Sequence, residues 1–492
     1  MLRSKRRLLR LAVWSALLAW ILWITPATLA AQEVPSEPQA SAGHGDPVAP
    51  ILLALLFIAF GAALGGRAMR RFGQPAVLGE LLVGVLIANI GYWLGEPVLT
   101  VLREGEGLLK VIETSLTQSL SLAEAARRML PDTDETRNLI AILTSPGGPT
   151  AVSIFQFVDN LSRIAVIVLL FLVGLETSVH EMAKVGMTSL FVALLGIIAP
   201  FLLGVGVMYV LIPDAPLAKD IFIGAILTAT SVGITARVFR DLKQSHRTEA
   251  KIILGAAVID DVLGLVILAV VSGLVVSGTI SVASVSLITF KAVVFLVLSI
   301  GLGMWLTPRL VRQMKRMDIE NLKLLFGLGM AFVLSWLANL VGLATIVGAF
   351  AAGLVLEEFF LNELRGHSLR DLLSPLESLI VPVFFVLMGM QVKLETLTTG
   401  WILLFAGVLT LAAIAGKIVS GLACGRGLDR LSVGIGMMPR GEVGLIFASV
   451  GRGLGVVDDA TFSAVVIMVM VTTLLAPPLL KLSLERSAGK AS

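Results

Sequence analysis

The sequence predicts an all-α polytopic membrane protein of about 13 transmembrane helices. Three observations carry that expectation. Apolar residues make up 57% of the 492 positions and charged residues 15%, with mean hydropathy +0.94. A soluble chain of this length would be about 25% charged. A series of apolar runs of roughly 17–27 residues follows, each long enough to cross a hydrocarbon core of ~30 Å. The basic residues concentrate in alternate loops, as the positive-inside rule requires of a chain that threads back and forth.

The first element is a targeting segment. Arg3, Lys5, Arg6, Arg7 and Arg10 precede the apolar run Leu11–Ile24, and Thr28-Leu29-Ala30-Ala31 resembles a cleavage site. Residues 1–31 therefore read as a signal peptide, with an uncleaved anchor helix as the alternative. Residues 32–49 form a polar extracytoplasmic linker rich in Pro, Ser and Glu. A transmembrane domain over 50–481 follows, and 482–492 form a cytoplasmic tail.

The expected spans are 50–69, 74–93, 161–179, 187–211, 217–236, 250–275, 283–308, 322–341, 343–361, 373–391, 400–424, 431–454 and 460–480. Loops on the side assigned to the cytoplasm hold Arg67, Arg70, Arg71, Lys184, Arg237, Arg240, Lys243, Arg247, Arg309, Arg312, Lys315, Arg316, Lys323, Arg365, Arg370, Arg426 and Arg430. The short opposite loops hold little beyond Lys219, Lys393 and Arg452. The pattern places the C-terminus in the cytoplasm. One outer loop is long. Residues 96–160 form an extracytoplasmic insertion with an amphipathic stretch, Leu108–Leu130, and a Pro-Gly cluster, Thr144–Thr150, that argues against another span there.

Composition excludes several classes. Cys424 is the sole cysteine, so neither a disulfide framework nor a cysteine-based metal site is possible within one chain. His44, His180, His246 and His367 lack ligand spacing. No cofactor is expected. The net charge of +4 is dispersed over loops and does not point to nucleic acid.

The most informative chemistry lies in the sixth span. Asp260 and Asp261 stand near the middle of Ala250–Leu274. A carboxylate at bilayer depth costs about 2.5–3.5 kcal/mol or more and marks an ion or proton path. Adjacent helical residues point about 100° apart, so the two face different neighbours. One can face an ion cavity while the other pairs with a buried cation. Lys417, flanked by Gly416, Ser420 and Gly421 in the eleventh span, is the expected partner; the alternative is a lysine that snorkels to the surface.

Two spans look interrupted. The fifth carries Thr228-Ala-Thr-Ser-Val-Gly-Ile-Thr235, and the twelfth carries Gly434–Gly444 around Pro439. Pro removes a backbone donor and Gly loosens a helix. Thr230 and Ser231 can satisfy freed backbone groups, coordinate a cation or merely mediate packing. If the first six spans repeat as the last six, five matches twelve, and interrupted helices in matching positions mark the binding site of inverted-repeat transporters. Arg440 and Glu442 are also intramembrane and require partners; an ion pair bracing the broken helix is the preferred reading.

Six patterns then occur in order: Gln74–Gly84, Leu169–Glu176, Thr228–Thr235, Val258–Gly264, Pro382–Phe385 and Met438–Gly444. Together they resemble the monovalent cation:proton antiporter-2 family of bacterial sodium/proton exchanger-type proteins, over about residues 50–480. The resemblance implies an inverted-repeat fold with two crossed unwound helices, a mobile core domain and a dimerisation domain, hence a homodimer in the bacterial inner membrane. It implies that Asp261 binds the cation and the proton, and that Asp260 pairs with Lys417. In the family the position of Asp260 is aspartate in electrogenic members and often asparagine in electroneutral ones. Thr230 and Ser231 match the unwound stretch beside the site. The short tail leaves no room for a nucleotide-binding regulatory domain and argues against the glutathione-gated potassium-efflux subgroup. Na⁺ is the expected cation, with Li⁺ or K⁺ as alternatives. A passive channel would need a continuous pore. An intramembrane aspartyl protease would need its aspartates on two helices, whereas these are neighbours.

Overall fold

The computed structural model describes residues 46, 48–130, 133–176, 186–231, 235, 239, 247–277, 282–314, 322–363, 369–395, 400–425 and 427–491. The expected signal peptide and nearly all of the linker lie outside the described residues. The rest forms one compact unit beginning at Pro47. Among the described residues the regular structure is helical throughout: α1 (Ala49–Arg71), α2 (Ala76–Trp93), α3 (Pro97–Glu104), α4 (Glu106–Gln118), α5 (Leu122–Met129), α6 (Asp134–Thr144), α7 (Gly148–Glu176), α8 (Met187–Leu211), α9 (Leu217–Ile226), α10 (Thr248–Ser277), α11 (Val282–Met314), α12 (Leu322–Leu340), α13 (Thr345–Glu363), α14 (Leu369–Met390), α15 (Gly400–Ser420), α16 (Arg430–Gly436), α17 (Glu442–Gly453) and α18 (Asp459–Ala491). Ten of these are long and apolar enough to cross a membrane. The other expected crossings fall on shorter apolar pieces: α13, whose apolar part is Thr345–Leu356, the ten-residue α9, and the pair α16 and α17.

The helices sort into two bundles. In the first, α1 packs on α2, α2 on α14, α14 on α7, α7 on α13 and α13 on α12. In the second, α8 packs on α9, α10 and α15, and α18 on α15, α16 and α17. The long helix α11 touches α10 of one bundle and α13 of the other. Pairings in the first half recur in the second. The contact of α2 with α14 corresponds to that of α13 with α7, and α1 with α2 to α12 with α13.

Glycine makes these crossings close, as it does where helices meet in lipid. A Cβ on Gly84 of α2 would stand 2.1 Å from the Val386 carbonyl oxygen, and one on Gly389 of α14 would stand 2.2 Å from that of Leu81. At the corresponding crossing, a Cβ on Gly174 of α7 or on Gly353 of α13 would stand 2.3 Å from the Phe350 or Phe171 carbonyl oxygen. The two crossings are therefore built with the same device.

The structure corrects one boundary. The third span was expected from residue 161, after a Pro-Gly loop. The helix starts at Gly148. Pro149 occupies its first turn, where a missing N–H costs nothing. The insertion is correspondingly shorter and folds as α3–α6. Two of its helices begin on side-chain caps. Ser121 Oγ accepts from the Glu124 N–H while Glu124 reaches back to Ser121, and Thr133 accepts from the Thr136 N–H.

Candidate ion-binding site

The site forms where two helices stop short. α9 ends at Ile226, and Leu227–Ser231 leave the helix. α16 starts on an Asp429 cap whose Oδ1 accepts from the Leu431 and Ser432 N–H groups, each at 3.2 Å, and ends at Gly436. Residues 437–441 then leave the helix, Met437 closing its last turn, before α17 resumes the span. Pro439 is the local cause, because it donates no hydrogen bond and disfavours helix at the residue before it.

The two irregular stretches cross and satisfy each other. The Ser231 N–H donates to the Pro439 carbonyl at 2.9 Å. Thr235 Oγ1 donates to the Gly436 carbonyl at 2.6 Å. Arg440 Nη1 donates to the Ala229 carbonyl, and Thr473 Oγ1 donates to the Arg440 carbonyl. A non-helical backbone at membrane depth survives only when its polar groups find such partners. The C-terminal ends of α9 and α16 meet at the crossing, and their terminal carbonyls carry partial negative charge.

Asp260 and Lys417 stand beside this crossing. Lys417 Nζ lies 3.2 Å from Asp260 Oδ2 and 3.4 Å from Oδ1. Lys417 is fully buried and Asp260 is 2% exposed, so the lysine does not snorkel. Close packing of α15 on α8 places it there. A Cβ on Gly416 would stand 2.6 Å from Pro200 Cα, and one on Gly196 would stand 3.7 Å from Lys417 Nζ. Asp261, on the next position of α10, is 8% exposed. The Thr230 hydroxyl faces Asp260 yet is buried without a well-formed hydrogen bond.

Arg440 is fully buried and feels the Asp260 carboxylate. Its guanidinium is held by backbone carbonyls, Ala229 and, at 3.5 Å, Ala413. The Glu442 residue begins α17, but its side chain lies outside the described residues, as does that of Glu176. Among the described side chains, four buried charges share this region: Asp260, Asp261, Lys417 and Arg440. Formally they balance, which is why the cluster can stay in an apolar bundle. Two of its supports carried no sequence signal as such: Thr235, noted only as the end of a Thr-rich stretch, and Thr473, an ordinary residue of the last span.

Two interrupted helices crossing beside a buried carboxylate pair, within a bundle repeated in two halves, define a membrane ion carrier. The model of the sodium/hydrogen exchanger transmembrane family matches residues 55–486, and the chain belongs to that family. The high-affinity Na(+)/H(+) antiporter NhaS3 of Synechocystis sp. is 38% identical over 476 residues, covering 94% of this chain and 95% of that one. A Na(+)/H(+) antiporter of Enterococcus hirae is 28% identical over 438 residues, covering 87% and 96%. Among solved structures, the sodium proton antiporter MjNhaP1 of Methanocaldococcus jannaschii superposes with TM-score 0.55 at 16% identity, covering 88% of this chain and 96% of that one. That likeness shows the shared fold.

Proposed function

We propose that the protein exchanges Na⁺ for protons across the bacterial inner membrane by alternating access. The observation that carries this reading is the crossing of the 227–231 and 437–441 stretches beside Asp260, Asp261 and Lys417. A carboxylate can neutralise a cation only when it is unprotonated. Na⁺ and H⁺ therefore compete for Asp261, and loading one expels the other. Thr230 and the carbonyls exposed by the broken helices complete an oxygen-rich cage suited to a small hard cation. Asp260 stays paired with Lys417 beside that cage. The chain then has thirteen crossings, with spans five and twelve interrupted and the C-terminus in the cytoplasm. It pairs as a homodimer through the first bundle, whose α1 leaves Leu52, Leu56 and Phe60 exposed.

The test is proton flux in proteoliposomes driven in turn by Na⁺, Li⁺ and K⁺ gradients. Wild type is expected to show Na⁺-driven flux. Asp261→Asn is expected to abolish it while leaving the protein folded and inserted, since an amide can neither release a proton nor neutralise Na⁺. Near-normal flux in that variant would sink the mechanism.

A further inference from the structure

At the insertion end of the molecule a second charged cluster bridges the two bundles. Lys393 follows α14 of the first bundle. Its Nζ lies 3.0 Å from Asp459 Oδ2, at the start of α18 in the second bundle. The same ammonium lies 3.1 Å from Glu104 Oε2 and 3.2 Å from Glu135 Oε2, both in the insertion. Arg452, in the last turn of α17 in the second bundle, reaches the other way. Its Nη1 donates to Gln391 Oε1 at 2.8 Å, and its Nη2 donates to the Glu104 carbonyl at 3.4 Å and to Asp459 Oδ1 at 2.5 Å. Its guanidinium also lies 4.7 Å from the Phe462 ring centroid.

The first-bundle side of this cluster is rigid. Asn89 of α2, fully buried, donates to the Val392 carbonyl at 2.8 Å and accepts from the Leu394 N–H at 3.1 Å, so it clamps the chain on both sides of Lys393. Arg103 is fully buried, pairs with Glu395 and lies 4.1 Å from the Tyr92 ring centroid, which fixes α3 to the first bundle. Gly105 has φ +57°, and a Cβ there would stand 2.6 Å from Gln391 Cδ, so glycine is what lets the insertion lie on Gln391.

Lys393, Arg452 and Glu104 are each at most 7% exposed. We propose that Lys393 and Arg452, with Asp459, Gln391, Glu104 and Glu135, form a latch that shuts the outer side of the carrier. The proposal rests on the alternating-access reading above. In that cycle the two bundles must move relative to each other, and a buried set of charges shared between them must come apart each time the outer side opens. The insertion supplies two of the three carboxylates on Lys393, so it acts as part of the latch rather than as a neutral decoration. Removing the lysine leaves Glu104 buried, and Glu135 part-buried, without their cation, while Asp459 keeps Arg452, and opening to water becomes the best relief for Glu104.

The experiment uses the full-length chain in right-side-out vesicles with Cys424→Ser and a reporter Val392→Cys, a side chain next to Lys393 that is 1% exposed and takes no part in the latch contacts. The probe is a membrane-impermeant maleimide added outside. Adding Lys393→Met is expected to raise the labelling rate about tenfold or more, and adding Glu135→Gln to raise it severalfold. Glu135 is part-exposed, so that variant keeps the test alive if Lys393→Met fails to insert. An unchanged rate in an inserted, monodisperse variant overturns the latch. Na⁺-driven proton flux is measured in parallel on the chain without the reporter. Loss of flux in the wild type would defeat the transport reading, whereas flux with unchanged labelling would defeat the latch alone.

Discussion

Lys417 Nζ sits 3.2 Å from Asp260 Oδ2 with both side chains sealed from solvent, while Asp261, one residue along the same helix, is not the atom it touches. The pair separates two jobs that adjacent carboxylates could otherwise confuse. Asp260 is committed to Lys417, and in the proposed cycle Asp261 is the carboxylate that meets the transported ions. Breaking a buried pair by removing one partner costs about 3–5 kcal/mol, because the other charge stays behind. Lys417→Gln and Asp260→Asn are each expected to lower thermal stability by roughly that much. The double variant Asp260→Asn with Lys417→Gln is expected to lose clearly less than the sum of the singles. Thermal unfolding in detergent measures the cycle, and strict additivity would show that the two do not act as a pair.

The paired glycine crossings make a packing prediction. Gly389→Val would drive a side chain into the Leu81 carbonyl, 2.2 Å from its Cβ position, and Gly353→Val would do the same at Phe171, 2.3 Å away. Overpacking of this kind costs about 1–3 kcal/mol or more. The two variants are expected to destabilise by similar amounts, because they occupy matching places in the repeat. Gly407→Val, where nothing lies within 4 Å of the Cβ position, serves as the control and is expected to change little.

Much of this architecture was legible because bilayer physics is blunt. Length, apolarity and alternating positive charge place spans without knowledge of packing. The broken helices were legible because Pro439 and the Thr228–Thr235 run violate helix rules locally. The start of α7 was not, because Pro149 reads equally as a loop signal and as a good first helical residue; only the chain around it decides. The latch was invisible for another reason. Lys393 and Arg452 stood out only as scattered outer cations. Glu104 and Glu135 are distant from both in sequence, and Asp459, seven residues from Arg452, lies across the turn between two helices, so no helical spacing links them. The glycine crossings share that fate, since Gly84 and Gly389 carry no mark of their contact.

Lys393 also fixes a dependence on pH. Burial opposes its charge, but Glu104, Asp459 and Glu135 outweigh that cost and hold the ammonium above its ordinary value of 10.5. A group whose pKa is raised on folding contributes stability fully below its unfolded value, and loses it as pH climbs through the folded one. The difference in thermal stability between wild type and Lys393→Gln is therefore expected to stay level from about pH 7 to about pH 10 and to shrink only above that. Its size belongs toward the low end of the ~3–5 kcal/mol for a broken buried pair, since the Glu135 and Asp459 side chains are 33% and 38% exposed. A gap that narrows between neutral pH and pH ~9 would mean that the carboxylates do not hold the proton on Lys393.

The last prediction concerns charge movement. Asp260, Asp261 and Lys417 are three titratable groups at one buried site, whereas a cage with asparagine in place of Asp260 would have fewer protons to give. If two protons cross for each Na⁺, one net charge moves per cycle, and a membrane potential of 100 mV contributes about 2.3 kcal/mol to it. Exchange in proteoliposomes is then expected to speed up or slow down when a K⁺ diffusion potential is imposed with valinomycin, according to its sign, and the Na⁺ gradient reached at equilibrium is expected to shift with it. Asp260→Asn combined with Lys417→Gln is expected to weaken that response, because the double change removes the second titrating group without leaving a stranded charge. Rates and end-point gradients indifferent to the potential in the wild type would establish one-for-one exchange. Asp260 would in that case be the structural partner of Lys417 alone, and the requirement for Asp261 would be untouched.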